Sequence, residues 1–267
     1  MIAAAVSGWR DGFDVVTECV ESLVSRGIPV LYLDGAYETY CSDRALAVTP
    51  TWDLPRAGAA VQVVTVGNPW RNEAEKRTRA VALAREAYSA DVVLVVDADE
   101  RLEGGCRALV DWYAEKEESR AIAPGGMPQA EWWTLDLYWP EVPGSSQRLP
   151  RLLRAAGVEF RGHRDWEPWR NGRRVAYLQG EETGGADADR WAPVPAEVAR
   201  LRHDRQVRPG WRREMSGRYA RLHVSQGPCP ESLWQSHRYR LDANEWECSA
   251  CGRRVPVHGD AYIAVGD

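Results

Sequence analysis

Five consecutive apolar residues, Val92-Val93-Leu94-Val95-Val96, run directly into Asp97-Ala98-Asp99-Glu100. A run this short and this rich in β-branched side chains is a strand, and one with no polar alternation has both faces covered, as in a parallel sheet. Covering both faces requires helices above and below, so the chain is constrained to an α/β architecture. The acidic residues then fall just past the carboxyl end of a buried strand, where open α/β sheets bind their ligands.

The preceding residues supply the rest of such a sheet. Ile2–Val6 followed by Ser7-Gly8 reads as a first buried strand ending in a turn. Phe13, Val16, Val20, Leu23 and Val24 recur at helical spacing, with Gly27 and Pro29 as stop signals. Val30–Leu33 is a second strand ending at Asp34-Gly35, and Val61–Val66 a third. Residues 72–88 are predicted to form a helix burying Ala80, Leu83, Ala84, Ala87 and Tyr88, and Cys106, Leu109, Val110 and Tyr113 mark another. Residues 120–180 read as strands and loops broken by prolines, and Trp211, Met215, Tyr219 and Leu222 as one face of a late helix.

With 267 residues, the chain has room for one large domain or for one of about 200 residues with a small appendage. A net charge of −5 gives no general reason to expect a polyanionic partner. The charge is unevenly spread, however: eight arginines lie between Arg200 and Arg221, and a second basic stretch spans Arg148–Arg174. No window approaches the roughly 18 apolar residues of a membrane span, and no signal peptide is expected. With Cys19, Cys41 and Cys106 scattered singly, no disulfide framework is expected either, and the reading is of a cytoplasmic protein without a membrane partner. Most of the thirteen tryptophans are expected in packing, with some lining a pocket.

Asp97 and Asp99 are two apart, so in extended backbone their side chains point the same way. Together they are candidate ligands for Mg2+ or Mn2+, an ion that would neutralise a departing diphosphate. The bland alternative is that these acids cap a following helix or are simply solvated.

Asp34 at the end of the second strand, then Trp70-Arg71-Asn72-Glu73-Ala74-Glu75-Lys76-Arg77, then Val93–Val96 with Asp97-Ala98-Asp99-Glu100-Arg101-Leu102, resembles the nucleotide-sugar half of family-2 glycosyltransferases. The likeness covers roughly residues 1–105 and is weaker to about 225. It implies a GT-A fold, a Rossmann-like, mostly parallel mixed sheet flanked by helices. It also implies a nucleotide diphosphate sugar as donor and a hydroxyl acceptor. Asp34 would contact the base or ribose, Lys76 or Arg77 would approach the donor, Asp99 would be the principal metal ligand, and Asp97 would face the ribose or the metal. The chain departs from the family at Ser7-Gly8-Trp9-Arg10, where a more polar Asn-Glu entry is common, and between Tyr37 and Asp53, which lacks a Gly-Ser-x-Asp pattern.

The resemblance extends to Leu149–Arg154 followed by Val158–His163, a segment near which family members carry acceptor-side acids. Asp165 and Glu167 are the candidates here, either one serving as the general base that takes the acceptor hydroxyl proton. His203 is similar to a late histidine that completes the metal site in many such enzymes, as a neutral imidazole ligand. Arg205, Arg208 and Arg212 are candidates for clamping the diphosphate, or form a solvated helix face.

Cys248-Ser249-Ala250-Cys251 has the spacing of a zinc-ribbon half-site. Cys229 and His237 are candidate partners, with His258 as a substitute. A structural Zn2+ would stabilise a tail with little core of its own. The expected organisation is therefore a transferase domain over residues 1–225, divided at 105 into donor and acceptor halves, and a zinc-ribbon-like element over 226–267. Acceptors of every class remain open, including a hydroxylated base of DNA. The competing readings are a nucleotidyltransferase and a catalytically inactive, zinc-stapled binding protein.

Overall fold

The computed structural model describes residues 1–9, 11, 13–36, 60–65, 69–122, 132–140, 144, 146–161, 167–170, 173–174, 191–204, 239–242, 245–248 and 254–256. In chain order the elements are β1 (Ile2–Gly8), α1 (Phe13–Val24), β2 (Val30–Asp34), β3 (Val61–Thr65), α2 (Glu73–Tyr88), β4 (Val92–Asp97), β5 (Glu100–Glu103) and α3 (Ala108–Ile122). They continue with β6 (Trp132–Tyr138), β7 (Ser146–Arg154), β8 (Glu159–Arg161), β9 (Glu167–Arg170), β10 (Arg173–Arg174), β11 (Trp191–Pro193) and β12 (Arg200–His203). A separate three-stranded antiparallel sheet is formed by β13 (Tyr239–Asp242), β14 (Glu245–Cys248) and β15 (Arg254–Pro256).

The main sheet is mixed, in the order β3-β2-β1-β4-β7-β6-β12-β5, with β11 also paired to β6. β3, β2, β1 and β4 are mutually parallel, and β7 runs antiparallel to β4. The chain moves outward from β1 to β2 and β3, then returns to β4 on the other side of β1. That reversal is a topological switch point, with its crevice between the carboxyl ends of β1 and β4. Gly8 is in register with Asp34, and Ser7 with Asp97, so the second-strand aspartate and the acidic motif flank the end of β1.

Every residue of β1 is buried, as are Val92–Val96 of β4. Alternate side chains feed two cores. Ala4, Val6, Leu94 and Val96 join Val16, Cys19, Val20 and Leu23 of α1 and Leu109 and Tyr113 of α3. Ala3, Ala5, Val93 and Val95 join Ala74, Ala80, Val81 and Ala84 of α2. Gly27, at φ +75°, ends α1 in a conformation that suits glycine, and its N–H donates to Val24 O.

α2 differs from the sequence expectation. Its buried side includes Lys76, Arg77 and Val81, whereas Ala87 is exposed and Leu83 half-buried. Apolar periodicity misplaces the face because two cations are drawn inward by partners on the strand ends. The start of α2 is fixed locally: Asn72 accepts from Glu75 N–H at 2.9 Å, and Glu75 accepts from Arg71 N–H at 2.9 Å, a reciprocal cap.

Among the described residues no helix is long and apolar enough to cross a membrane. The expected helix at Trp211–Leu222 lies outside the described residues, as do Arg205, Arg208, Arg212 and residues 37–53. Replacing Asn72 by alanine removes the cap and is expected to cost about 1 kcal/mol, a fall in Tm of roughly 2–4 °C for a chain of this size. An unchanged melting curve would show that α2 does not depend on it.

Candidate functional site at the switch point

β4 ends at Asp97, and Ala98 and Asp99 form a turn into β5. The extended backbone assumed in pairing the two aspartates therefore stops at the first of them. Because a strand follows, these acids do not cap a helix. The two carboxylates have different partners. Asp97 Oδ1 accepts from Arg77 Nη2 at 2.7 Å, and Asp97 Oδ2 lies 3.7 Å from Arg151 Nη2. Asp99 is 1% exposed, with Oδ2 3.7 Å from Nε2 of the buried His203.

Sheet pairing explains how residues so far apart in sequence meet. β12 runs antiparallel to β5 with His203 opposite Glu100, and Asp204 N–H donates to Asp99 O at 3.1 Å. Trp139, just past β6, has its ring centroid 5.9 Å from that of His203, so one tryptophan borders the site.

Lys76 and Arg77 are each 1% exposed. Lys76 Nζ donates to Gly8 O and Gly35 O, both at 2.7 Å, at the ends of β1 and β2. Arg77 donates to Glu73 Oε1 at 2.5 Å as well as to Asp97. Asp34 is buried at the end of β2, and Gly8 beside it is so tightly placed that a Cβ would overlap the Tyr32 hydroxyl.

Two participants carried no role in the sequence reading. Arg151, 1% exposed on β7, donates to Glu100 Oε1, and Glu100, fully buried, accepts from Asp97 N–H at 2.9 Å. The signal was present in Leu149-Pro150-Arg151-Leu152-Leu153: an arginine inside an apolar strand needs a buried acid. Burial pushes the Glu100 carboxyl up to about 8, the nearby Asp97 and Asp99 adding to the shift while Arg151 and the Asp97 amide offset part of it. Burial likewise keeps the thiol of Cys19, beneath the motif with Sγ 3.6 Å from Asp97 O, protonated.

The β8–β9 hairpin holds the region expected to carry a general base. Phe160 N–H donates to Thr78 Oγ1 at 2.8 Å, so β8 packs against α2. Asp165 lies outside the described residues, and of Glu167 only the backbone, opening β9, is described. Cys229, His237 and Cys251 also lie outside them, and Cys248 is described only as the last residue of β14.

Asp99 and His203 offer an oxygen and a nitrogen, donors suited to Mn2+ and acceptable to Mg2+. Two ligands each about 2.1 Å from one ion are separated by about 3.0 Å at a right angle and about 4.2 Å when opposed; the observed 3.7 Å falls between. Among the described residues no three His, Cys, Asp or Glu side chains gather as a ready metal group.

No protein-family model matches the chain, and no curated protein sequence matches it. Similar solved structures include S. aureus TarS, with 15% identity and a TM-score of 0.40 over 60% of this chain and 30% of that one. S. aureus TarS 1-349 has 12% identity and a TM-score of 0.44 over 76% and 60%. Its complex with UDP has 13% identity and a TM-score of 0.41 over 60% and 50%. The chain spans 30–60% of the length of these structures, and at such TM-scores the likeness carries no argument about function.

Arg151→Ala removes the buried donor to Glu100 and to Val95 O and is expected to cost about 1–3 kcal/mol in chemical denaturation; a loss under about 0.5 kcal/mol would show that water replaces the guanidinium. A carboxyl with its folded pKa raised contributes stability that is fully present below its unfolded value, near 4.5, and lost as pH rises toward 8. The wild-type Tm should therefore fall relative to that of Glu100→Gln between pH 5 and pH 8, and parallel pH profiles would contradict the assignment.

Proposed function

We propose that the chain is a metal-dependent glycosyltransferase that moves a sugar from a nucleoside diphosphate sugar to a hydroxyl acceptor. The observation that carries this reading is the buried juxtaposition of Asp99 and His203 beside the switch point of a parallel sheet. Two protein ligands are too few for a closed structural site, but they suit an ion whose other ligands are substrate phosphates and water. A bound Mn2+ or Mg2+ supplies positive charge to the diphosphate oxygens that gain negative charge on leaving.

The chain's own groups take the remaining tasks. Asp34 is assigned to the base or ribose, and Asp97, held by Arg77 and Arg151, to the ribose rather than the ion. The acceptor oxygen bonds to the anomeric carbon as the bond to the β-phosphate oxygen breaks, and that electron pair leaves with the nucleoside diphosphate. The acceptor proton passes to a carboxylate, Asp165 or Glu167. The acceptor is any hydroxyl that reaches this edge, a hydroxylated DNA base included.

For the C-terminal element we assign a structural Zn2+ to Cys248 and Cys251, with Cys229 and His237 as partners. The Cys-x2-Cys pair begins at the end of β14, before the chain returns in β15, the position of a zinc knuckle in a ribbon.

Thermal melting with UDP, GDP, ADP and CDP, with and without Mn2+, tests the transferase reading. At least one nucleotide should raise Tm only when Mn2+ is present, and Asp99→Asn should abolish that rise. A rise that needs no metal, or that persists in Asp99→Asn, would overturn the reading, as would release of pyrophosphate instead of nucleoside diphosphate during turnover.

A further inference from the structure

Three consecutive backbone carbonyls at the end of β2 are each bound by the segment that enters α2. Asp34 O accepts from Trp70 Nε1 at 3.3 Å, Gly35 O from Lys76 Nζ at 2.7 Å, and Ala36 O from Trp70 N–H at 2.8 Å. The same Lys76 ammonium binds Gly8 O at the end of β1. One helical step later, Arg77 binds the Asp97 carboxylate at the end of β4. The start of α2 therefore spans the ends of all three strands that line the switch point.

We propose that Lys76 and Trp70 are positioning residues that hold Asp34 in the conformation required for binding a nucleoside diphosphate. Lys76 does not itself meet the phosphates. Its ammonium is buried between two strand-end carbonyls, and a hydrogen bond from a charged donor in such surroundings is stronger than a neutral one. Gly35 adopts φ +127°, one of many backbone conformations open to glycine, so the bonds from Lys76 and Trp70 select this one for the turn after Asp34. Because Gly8 and Asp34 are in register, a single ammonium ties the end of β1 to the end of β2. This inference rests on the transferase reading for the identity of the ligand, but not for the clamp itself.

The test compares full-length wild type with Lys76→Met and, as a milder variant, Trp70→Phe, which deletes only the indole donor. Hydrogen exchange is followed by mass spectrometry, and binding of UDP, GDP, ADP and CDP is measured with Mn2+, alongside Mn2+ alone. The expected result is that peptides covering 34–36 and 69–71 exchange about tenfold faster or more in Lys76→Met, while those covering 16–24 and 92–97 are unchanged. Nucleotide affinity should fall by about tenfold or more, with affinity for Mn2+ alone retained. Trp70→Phe should show a smaller change of the same kind. If Lys76→Met fails to fold, Trp70→Phe decides: normal exchange at 34–36 with unchanged nucleotide affinity overturns the proposal. Exchange that rises uniformly over the whole chain also overturns it, since that is loss of global stability. A wild-type protein that binds none of the nucleotides overturns the transferase reading instead, and the exchange data still decide the clamp.

Discussion

A chain of charged contacts, Glu73–Arg77–Asp97–Arg151–Glu100, with Arg77, Arg151 and Glu100 buried and Glu73 and Asp97 partly exposed, joins α2, β4, β5 and β7 beneath the switch point. Charges taken out of water are tolerated only when each has a partner and its remaining donors and acceptors are used. This requirement fixes more than the pairs themselves. Arg77 sets the depth and rotation of α2, Arg151 ties β7 to β4 through Asp97 and Val95 O, and Glu100 accepts the Asp97 amide, pinning the backbone where the turn to β5 begins. A helix face chosen by apolar content alone would have left Lys76 and Arg77 in solvent.

The network also separates the two aspartates. With Asp97 engaged by two guanidinium groups, Asp99 turns to His203, which β12 delivers by pairing with β5. The result is a crevice with a cation-held carboxylate on one side and an ion-competent oxygen and nitrogen pair on the other. That asymmetry suits a substrate with a polyol at one end and a diphosphate at the other.

Much of the parallel part of the sheet, β1 to β4, was legible in the sequence because the deciding signals were local. The apolar run of Val92–Val96, the helical spacing of Val16, Val20 and Leu23, and Gly27 as a stop each act over a few residues, and the corresponding elements form where those signals place them. β5 and β12 were not legible as a pair, since Glu100–Glu103 and Arg200–His203 carry little apolar pattern and become strands by pairing with each other. The expectation for Asp97 and Asp99 presumes an extended backbone through both, whereas the strand ends at Asp97 and a turn follows. The approach of Lys76 or Arg77 to the donor is an implication of the family resemblance; the burial of Lys76 against Gly8 O and Gly35 O follows from tertiary contacts that spacing does not reveal. Arg151 could have been found from its apolar neighbours alone.

Under the proposed function, an ion at this edge is held by Asp99 and His203 and not shared between the two aspartates. Anomalous diffraction at the manganese edge, from crystals grown with Mn2+ and UDP, addresses it directly. The account predicts a peak about 2.0–2.3 Å from Asp99 Oδ2 and His203 Nε2, with Asp97 still bound to Arg77. A peak bridging Asp97 and Asp99 with Arg77 displaced, or manganese bound away from β4 and β12, would contradict it.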